Sequence, residues 1–325
     1  MNSMLQGWNR VVLSLLMLAL PVSAHSATVT NVFFTGFERN EAPGAYDPAF
    51  ELVGQQGWLR YPAVFGGNGL ITNFLGSQAA YIGLFPLEPK TNSLSIFRHV
   101  DYTPPANARS LVKFSVTMDI EDSYERRYYD DFWWTLYNAW GDALFTLEFD
   151  NKDWTISYGL DNGIFYDTGQ RFTNGLVYEL IVTMDFQSNR WSAVVSNQYK
   201  TTLLATNQLI TTKNTPLNFG SMDLIWRPKD LKNPGDNFLI FDNYRVVAEI
   251  QDTTPLYLLT LGKPSGQSFS LRVTGPNGQR VAIDVAPNLG TWTPLRTNTI
   301  SDGSFDFVDQ NPGSGPRFFR ARLVN

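Results

Sequence analysis

A period of two runs through this chain and constrains its fold more than any other feature. In SLVKFSVTMDIED (110–122), Val112, Phe114, Val116, Met118 and Ile120 fall on one side. Lys113, Ser115, Thr117 and Asp119 fall on the other. In LVYELIVTMDF (176–186), Leu176, Tyr178, Leu180, Val182, Met184 and Phe186 alternate with Glu179, Thr183 and Asp185. A helix would scatter these residues around its circumference, whereas a half-buried strand sorts them cleanly. VTMD recurs at 116–119 and 182–185, and reads as two similar strand endings in which Asp opens a turn. Further strand-like runs follow at close spacing, among them NVFFTGFE, AAYIGLF, LSIFRHV, ALFTLEF, WTISYG, RWSAVVS, MDLIWRP and NFLIFDNYRVV. Turn-forming stretches separate them: GGNG (66–69), DNG (161–163), TNG (173–175), QSN (187–189) and NPGDN (233–237). No helical period persists beyond a couple of turns. Many short strands so punctuated predict an all-β sandwich or jelly roll.

A length of 325 residues predicts two domains, or one large β domain with an appendage. The net charge of −5, with no basic stripe, argues against an electrostatic nucleic-acid binder. The first 24 residues read as a signal peptide. Arg10 supplies a positive leader, Val11 to Val22 form a short apolar core, and VSA (22–24) offers a small-residue cleavage site. The apolar core is too short to span a bilayer, and no later segment is long and apolar enough to do so. The expected product is therefore secreted, extracellular or periplasmic, with no membrane span. There is no Cys, so neither disulfides nor thiolate metal sites can support the fold. A true hydrophobic core must do so. After Val247 the texture turns polar in AEIQDTTP and soft again in GKPSGQS, and LYLLTL (256–261) between them reads as a strand or a docking piece. We expect a larger domain over 25–248, a linker over 249–268 and a small β module over 269–325. Fewer than eighty residues give that module a thin core.

FFTGFE (33–38), GQQGW (54–58), GSQAAYIG (76–83), YELIVTMDFQSNRWSAVV (178–195) and FDNYRV (241–246) resemble the concanavalin A-like, laminin-G-type jelly roll. FSLRVTG, NLGTWTPL and RFFRARL, after residue 268, resemble a small all-β module at the C-termini of secreted bacterial proteins. The resemblance is informative about architecture and weakly so about activity. The fold hosts lectins, carbohydrate-binding modules, glycoside hydrolases, polysaccharide lyases and adhesive domains. It also implies a structural Ca²⁺ between the first and last strands, held here by Glu38, a backbone carbonyl near Gly36, and Asp242. Hard oxygen ligands from distant positions suit that ion.

Hydrolases of this fold related to laminarinases carry an E-x-D-x-x-E strand. The nearest match, EDSYE with Glu121, Asp122 and Glu125, has adjacent acids that point to opposite faces, and reads as a solvated loop balanced by Arg126 and Arg127. A pair from separate strands, Glu148 with Glu179 or Asp185, stays open. A lyase would draw on His99 with Tyr102 or Arg98, although a lone strand His is more often structural. Cleavage after Ala24 would expose His25 as a copper-binding N-terminus, a reading nothing else in the chain supports.

The aromatic run DDFWWTLYNAWGDALFTLEF (130–149) carries the strongest functional expectation. Alternation assigns Phe132, Trp134 and Leu136 to the core and Trp133, Thr135 and Tyr137 to the other face. In the next strand Ala143, Phe145, Leu147 and Phe149 are expected inside and Leu144, Thr146 and Glu148 outside, with Trp140 at the intervening turn. Sugar rings stack their C–H faces on such aromatics, while acids and amides bond the hydroxyls. We therefore expect a non-catalytic carbohydrate-binding or adhesive protein. Its glycan or polysaccharide would stack on Trp133, Tyr137 and Trp140 of a concave face, with Glu148 and Asp131 as polar partners. Trp226 and Arg227 form a second candidate edge. The alternatives are a polysaccharide-degrading enzyme on the same fold, or a structural component contacting cell-surface or matrix proteins.

Overall fold

The computed structural model describes residues 27–41, 44–105, 109–124, 129–231, 236–251, 256–262, 269–288, 290–310 and 317–324. The leader at 1–24, His25, Glu125, Arg126 and Arg127 lie outside them. The described residues contain strands, turns and loops and no helix. They divide into two units, Ser26–Pro255 and Leu256–Asn325.

The larger unit begins with β1 (Ala27–Thr35), β2 (Trp58–Tyr61), β3 (Asn68–Phe74), β4 (Ser77–Gly83), β5 (Leu94–Arg98), β6 (Arg109–Glu121), β7 (Asp131–Tyr137) and β8 (Ala143–Asp150). It continues with β9 (Thr155–Leu160), β10 (Phe165–Arg171), β11 (Tyr178–Asp185), β12 (Arg190–Ser196), β13 (Thr201–Leu209), β14 (Ser221–Arg227) and β15 (Phe238–Gln251). One sheet has the order β13-β12-β11-β6-β15-β4-β3, with β1 also on β15. The other has the order β10-β9-β8-β7-β14-β5-β2. The paired strands are antiparallel, and the two sheets form the jelly-roll sandwich that alternation predicts.

The core sits between the sheets. Val112, Phe114, Val116, Met118 and Ile120 of β6 are buried, as are Leu180, Val182 and Met184 of β11. Facing them are Phe132, Trp134 and Leu136 of β7, each with no exposed surface. Aromatic contacts cross the gap: Phe114 meets Trp134 at 5.3 Å, and Phe145 of β8 stacks on Trp191 of β12 at 4.1 Å. Tyr244 of β15 is wholly buried, and its hydroxyl donates to the Met222 carbonyl of β14 at 3.1 Å. Buried aromatic pairs and a satisfied hydroxyl hold two sheets together in the absence of disulfides.

Two expectations need adjustment. Leu144, expected outside, is fully buried, and Ala143 is exposed. Leu136 pairs with Phe145 but Tyr137 pairs with Ala143, so Leu144 is an extra residue whose bulge turns it inward. The segment expected as a linker, 249–268, contains strand at both ends of its described part. Glu249–Gln251 finishes β15, paired with β1 and β6, and β16 (Tyr257–Gly262) belongs to the smaller unit. The polar composition of AEIQ masks a period-two strand end, in which Ala248 is buried between partly covered neighbours.

The smaller unit adds β17 (Phe269–Thr274), β18 (Arg280–Ala286), β19 (Thr293–Thr299), β20 (Ser304–Asp309) and β21 (Phe318–Leu323). Its sheets have the orders β16-β17-β20 and β19-β18-β21. Leu271, Val273, Val281, Ile283, Ile300 and Phe307 form its core, the thin core expected of so short a module.

Candidate functional site

The outer face of the sheet containing β7 gathers the residues that alternation turns away from the core. The register aligns Trp133 with Glu148 on β8 and Ile225 on β14. One step along, Thr135 lies between Thr146 and Asp223; in the opposite direction, Asp131 lies between Asp150 and Arg227. Beyond β8, Glu148 aligns with Ser157 of β9, which aligns with Asp167 of β10. The face therefore mixes flat rings, hydroxyls and carboxylates.

Trp133 is half-buried and held by three neighbours. Its indole N–H donates to Glu148 Oε1 at 3.1 Å. The Arg227 guanidinium lies over the ring, 4.1 Å from its centroid. Phe165 approaches at 5.2 Å, lying across Gly159, where an added Cβ would come within 2.7 Å of the Phe165 ring. Trp133 is thus one member of a row of flat groups, with one ring face covered by Arg227. Sequence alone does not show this, because Arg227 reaches Trp133 across a strand pairing distant in sequence. Trp226, its neighbour in the expected second edge, points inward instead: it is fully buried and donates to Asp130 Oδ2 at 2.9 Å.

Trp140 is different. It is 78% exposed at the tip of the β7–β8 turn. That turn is held from below by Asn138, whose side chain is buried. Asn138 Oδ1 accepts the backbone N–H groups of Trp140 at 3.0 Å and Asp142 at 2.9 Å. Its Nδ2 donates to Thr215 Oγ1 at 3.0 Å and the Pro216 carbonyl at 3.1 Å. Asn218 Oδ1 accepts the Ala139 N–H at 2.8 Å. Gly141 adopts φ +86°, which a residue with a side chain resists. A large apolar ring is thus presented to solvent on a fixed support.

The acids differ in their surroundings. Asp131 is buried, with Oδ2 2.7 Å from Lys229 Nζ, and Lys229 also reaches Asp150 at 3.5 Å. Burial pushes the Asp131 carboxyl up to about 7, against the pull of Lys229. Asp150 also caps the following turn, accepting the Lys152 N–H at 2.9 Å. Glu148 is raised by burial, and its Oε2 is free of protein hydrogen bonds among the described residues. Asp223 carries no signal in the sequence, because its partners Ser95 and Ser221 are set by strand pairing and packing. It is 6% exposed and is hydrogen-bonded by the Ser95 hydroxyl at 2.9 Å and the Ser221 hydroxyl at 2.5 Å. With hydroxyls in place of a cation, burial lifts its carboxyl to about 7. Tyr137, half-buried on the same face, is pushed up by burial and then by Asp223.

The other candidates do not converge. Glu179 and Asp185 lie on β11, in the opposite sheet from Glu148, and Asp185 is engaged by Arg109 Nε at 2.9 Å. His99 is exposed beside Asp101, Arg98 stacks on Phe33 in the other sheet, and Tyr102 hydrogen-bonds Ser110 at 3.3 Å. Glu121 ends β6 and Asp122 follows it in a loop.

Glu38 and Asp242 do meet. Together with Gly36, Glu41, Ser77 and Asn243 they line a pocket of about 280 Å³ that opens to solvent. A methyl group on Gly36 would sit 3.8 Å from Asp242 Oδ1 and 3.9 Å from Glu38 Cγ. Glu41 Oε2 accepts three donors: Thr35 Oγ1 at 3.0 Å, Gly36 N–H at 3.0 Å and Glu38 N–H at 3.1 Å. It therefore braces the loop. Burial, then Glu38 and Glu41, raise Asp242 to about 6. No Lys or Arg among the described residues pairs with these acids. Uncompensated hard oxygens fit a Ca²⁺ ion. They fall short of a side-chain cage, since no group of three His, Cys, Asp or Glu among the described residues is arranged to hold a metal.

No helix of the described residues is long and apolar enough to cross a membrane. No family model and no curated protein matches the chain. Among solved structures, the chain is similar to the basic winged bean lectin crystallised with Tn-antigen, at 10% identity and TM-score 0.41, covering 69% of this chain and 99% of that one. Arcelin-5, a lectin-like defense protein from Phaseolus vulgaris, matches at 9% identity and TM-score 0.44, covering 69% and 100%. The catalytic domain of a GH131 beta-glucanase from Podospora anserina matches at 10% identity and TM-score 0.39, covering 55% and 78%. At these values the likeness is remote, and the site is defined by this chain's own residues.

Proposed function

We propose that this protein binds glycan outside the cell, without cleaving it, on the outer face of the sheet containing β7. The observation that carries the reading is Trp140, 78% exposed on a turn that buried Asn138 holds in place. An exposed Trp adds nothing to the core, and a rigid exposed ring is what stacking on a sugar requires. Tyr137 and the edge of Trp133 continue the platform. Glu148 Oε2 accepts sugar hydroxyls, a charge-assisted contact stronger than a neutral one. Asp131 supports the site indirectly, through Lys229.

Cleavage would need two accessible carboxylates flanking the bond. Here Asp131 is buried against Lys229, Asp150 is taken by Lys229 and its turn, and the exposed acid Asp167 sits two strands from Glu148 and caps its own turn through the Gly169 N–H at 2.8 Å. Ca²⁺ at Glu38 and Asp242, completed by backbone carbonyls and water, would brace β1 against β15 in a structural role. The test of binding is titration of a glycan panel with wild type, Trp140→Ala and Trp133→Ala. Both variants are expected to lose affinity by about tenfold or more, the range of a central aromatic contact. Equal binding by wild type and both variants, or by none, sinks the named site.

A further inference from the structure

We infer that the ligand of this face is a linear glycan without acidic groups, laid along β7 from Trp133 to the Trp140 turn. The inference rests on the glycan reading above and adds direction and chemical class to it.

Direction follows from what blocks the alternative. Trp133 and Tyr137 share one face of β7 four residues apart, about 13 Å along the strand, and Trp140 lies beyond at the turn. Across the strands the way is obstructed. Arg227 covers Trp133 on the β14 side at 4.1 Å, and Phe165 closes the β10 side at 5.2 Å. A chain therefore runs with the strand and meets the aromatics in sequence. Its far end rests on a turn already rigid before binding, so little ordering is needed there.

Class follows from charge. The face carries Asp131, Glu148, Asp150, Asp167 and Asp223 against Arg171, Arg227 and Lys229, and Arg171 donates to the Asp153 carbonyl at 2.6 Å. Lys229 is held by Asp131 and Asp150. Arg227 lies flat on Trp133, close enough to Glu148 to lower its proton affinity. A uronate or sulfate group would meet Glu148 Oε2 and Asp167, and among the described residues the cations of this face are already engaged. Like charges facing each other reject a wrong partner even when its shape fits. Hydroxyls suffer no such penalty, and Thr135 and Thr146, bonded to each other at 2.9 Å, border Glu148 with neutral groups.

Calorimetric titration tests this with hexasaccharides and disaccharides of glucan, xylan and mannan backbones, and with hexagalacturonate. Wild type should bind at least one neutral hexasaccharide about tenfold more tightly than its disaccharide, and about tenfold more tightly than hexagalacturonate. Trp140→Ala should pull the hexasaccharide down toward the disaccharide. Glu148→Gln should narrow the gap to hexagalacturonate, with circular dichroism confirming the fold. Hexagalacturonate binding as well as the neutral chains overturns the inference while leaving glycan binding intact. Equal affinity for hexamer and dimer overturns the direction. Binding of no glycan overturns the inference together with the reading beneath it.

Discussion

Asp223→Asn exchanges one carboxylate oxygen for an amide at the floor of the candidate face and tests how that floor is held. Asp223 is 6% exposed, and its partners are the hydroxyls of Ser95 and Ser221. Burial lifts its carboxyl from 3.8 to about 7. A rise of roughly three pH units is worth about 4 kcal/mol at 1.36 kcal/mol per unit. The sign follows from proton counting. Below about pH 4 the group is protonated in folded and unfolded chains alike, and its stability is fully present. Between about pH 4 and 7 the unfolded chain releases the proton first, so stability falls as pH rises. Above about pH 7 the loss is complete. The Asn variant has no such proton to lose. Asp119, Asp131 and Asp242, also raised, remain in both proteins and cancel in the difference. Urea unfolding of both proteins at half-unit steps should therefore show the variant gaining about 4 kcal/mol on wild type between about pH 4 and 8. A difference that changes by less than ~1 kcal/mol across that range would refute a carboxyl buried without a cation.

Asn138→Ala should destabilise the larger unit by about 1–3 kcal/mol, since it leaves turn donors and acceptors unpaired. It should also loosen Trp140, which time-resolved fluorescence anisotropy would register; an unchanged decay contradicts the rigid turn. Ca²⁺ should raise the melting temperature of chelator-treated protein, more at pH 7.5 than at pH 5, because Asp242 with its carboxyl at about 6 must be ionised to bind. Asp242→Asn should abolish the shift, and an equal shift in both proteins would move the ion elsewhere.

The two faces of β7 were legible because alternation is covalent geometry: successive Cβ atoms must point apart. Phe132, Trp134 and Leu136 are buried accordingly, and Trp133 and Tyr137 are turned away from the core. β10 was not legible. Its residues, FYDTGQR, break period with a register shift between Asp167 and Gln170, yet it delivers Phe165 to Trp133. The short β2 and the edge strand β13 were equally hidden by their brevity or polarity. Leu144 turned inward because a bulge, invisible in composition, inserted one residue.

Residue order by itself determined that this chain is built of strands, which side chains the long regular strands such as β6, β7 and β11 turn to the core, and that the core must hold without disulfides. These follow from local rules acting over a few residues. The tertiary structure alone decided who stands beside whom. It laid Arg227 on Trp133, tied Asp131 and Asp150 through Lys229, and left Asp223 with hydroxyl partners. It also set Asn138 beneath Trp140 with partners some 77 residues away in the chain. Such neighbours come from strand pairing across long loops. The pairing is settled by burying two whole sheet faces at once, so no short stretch of sequence encodes it.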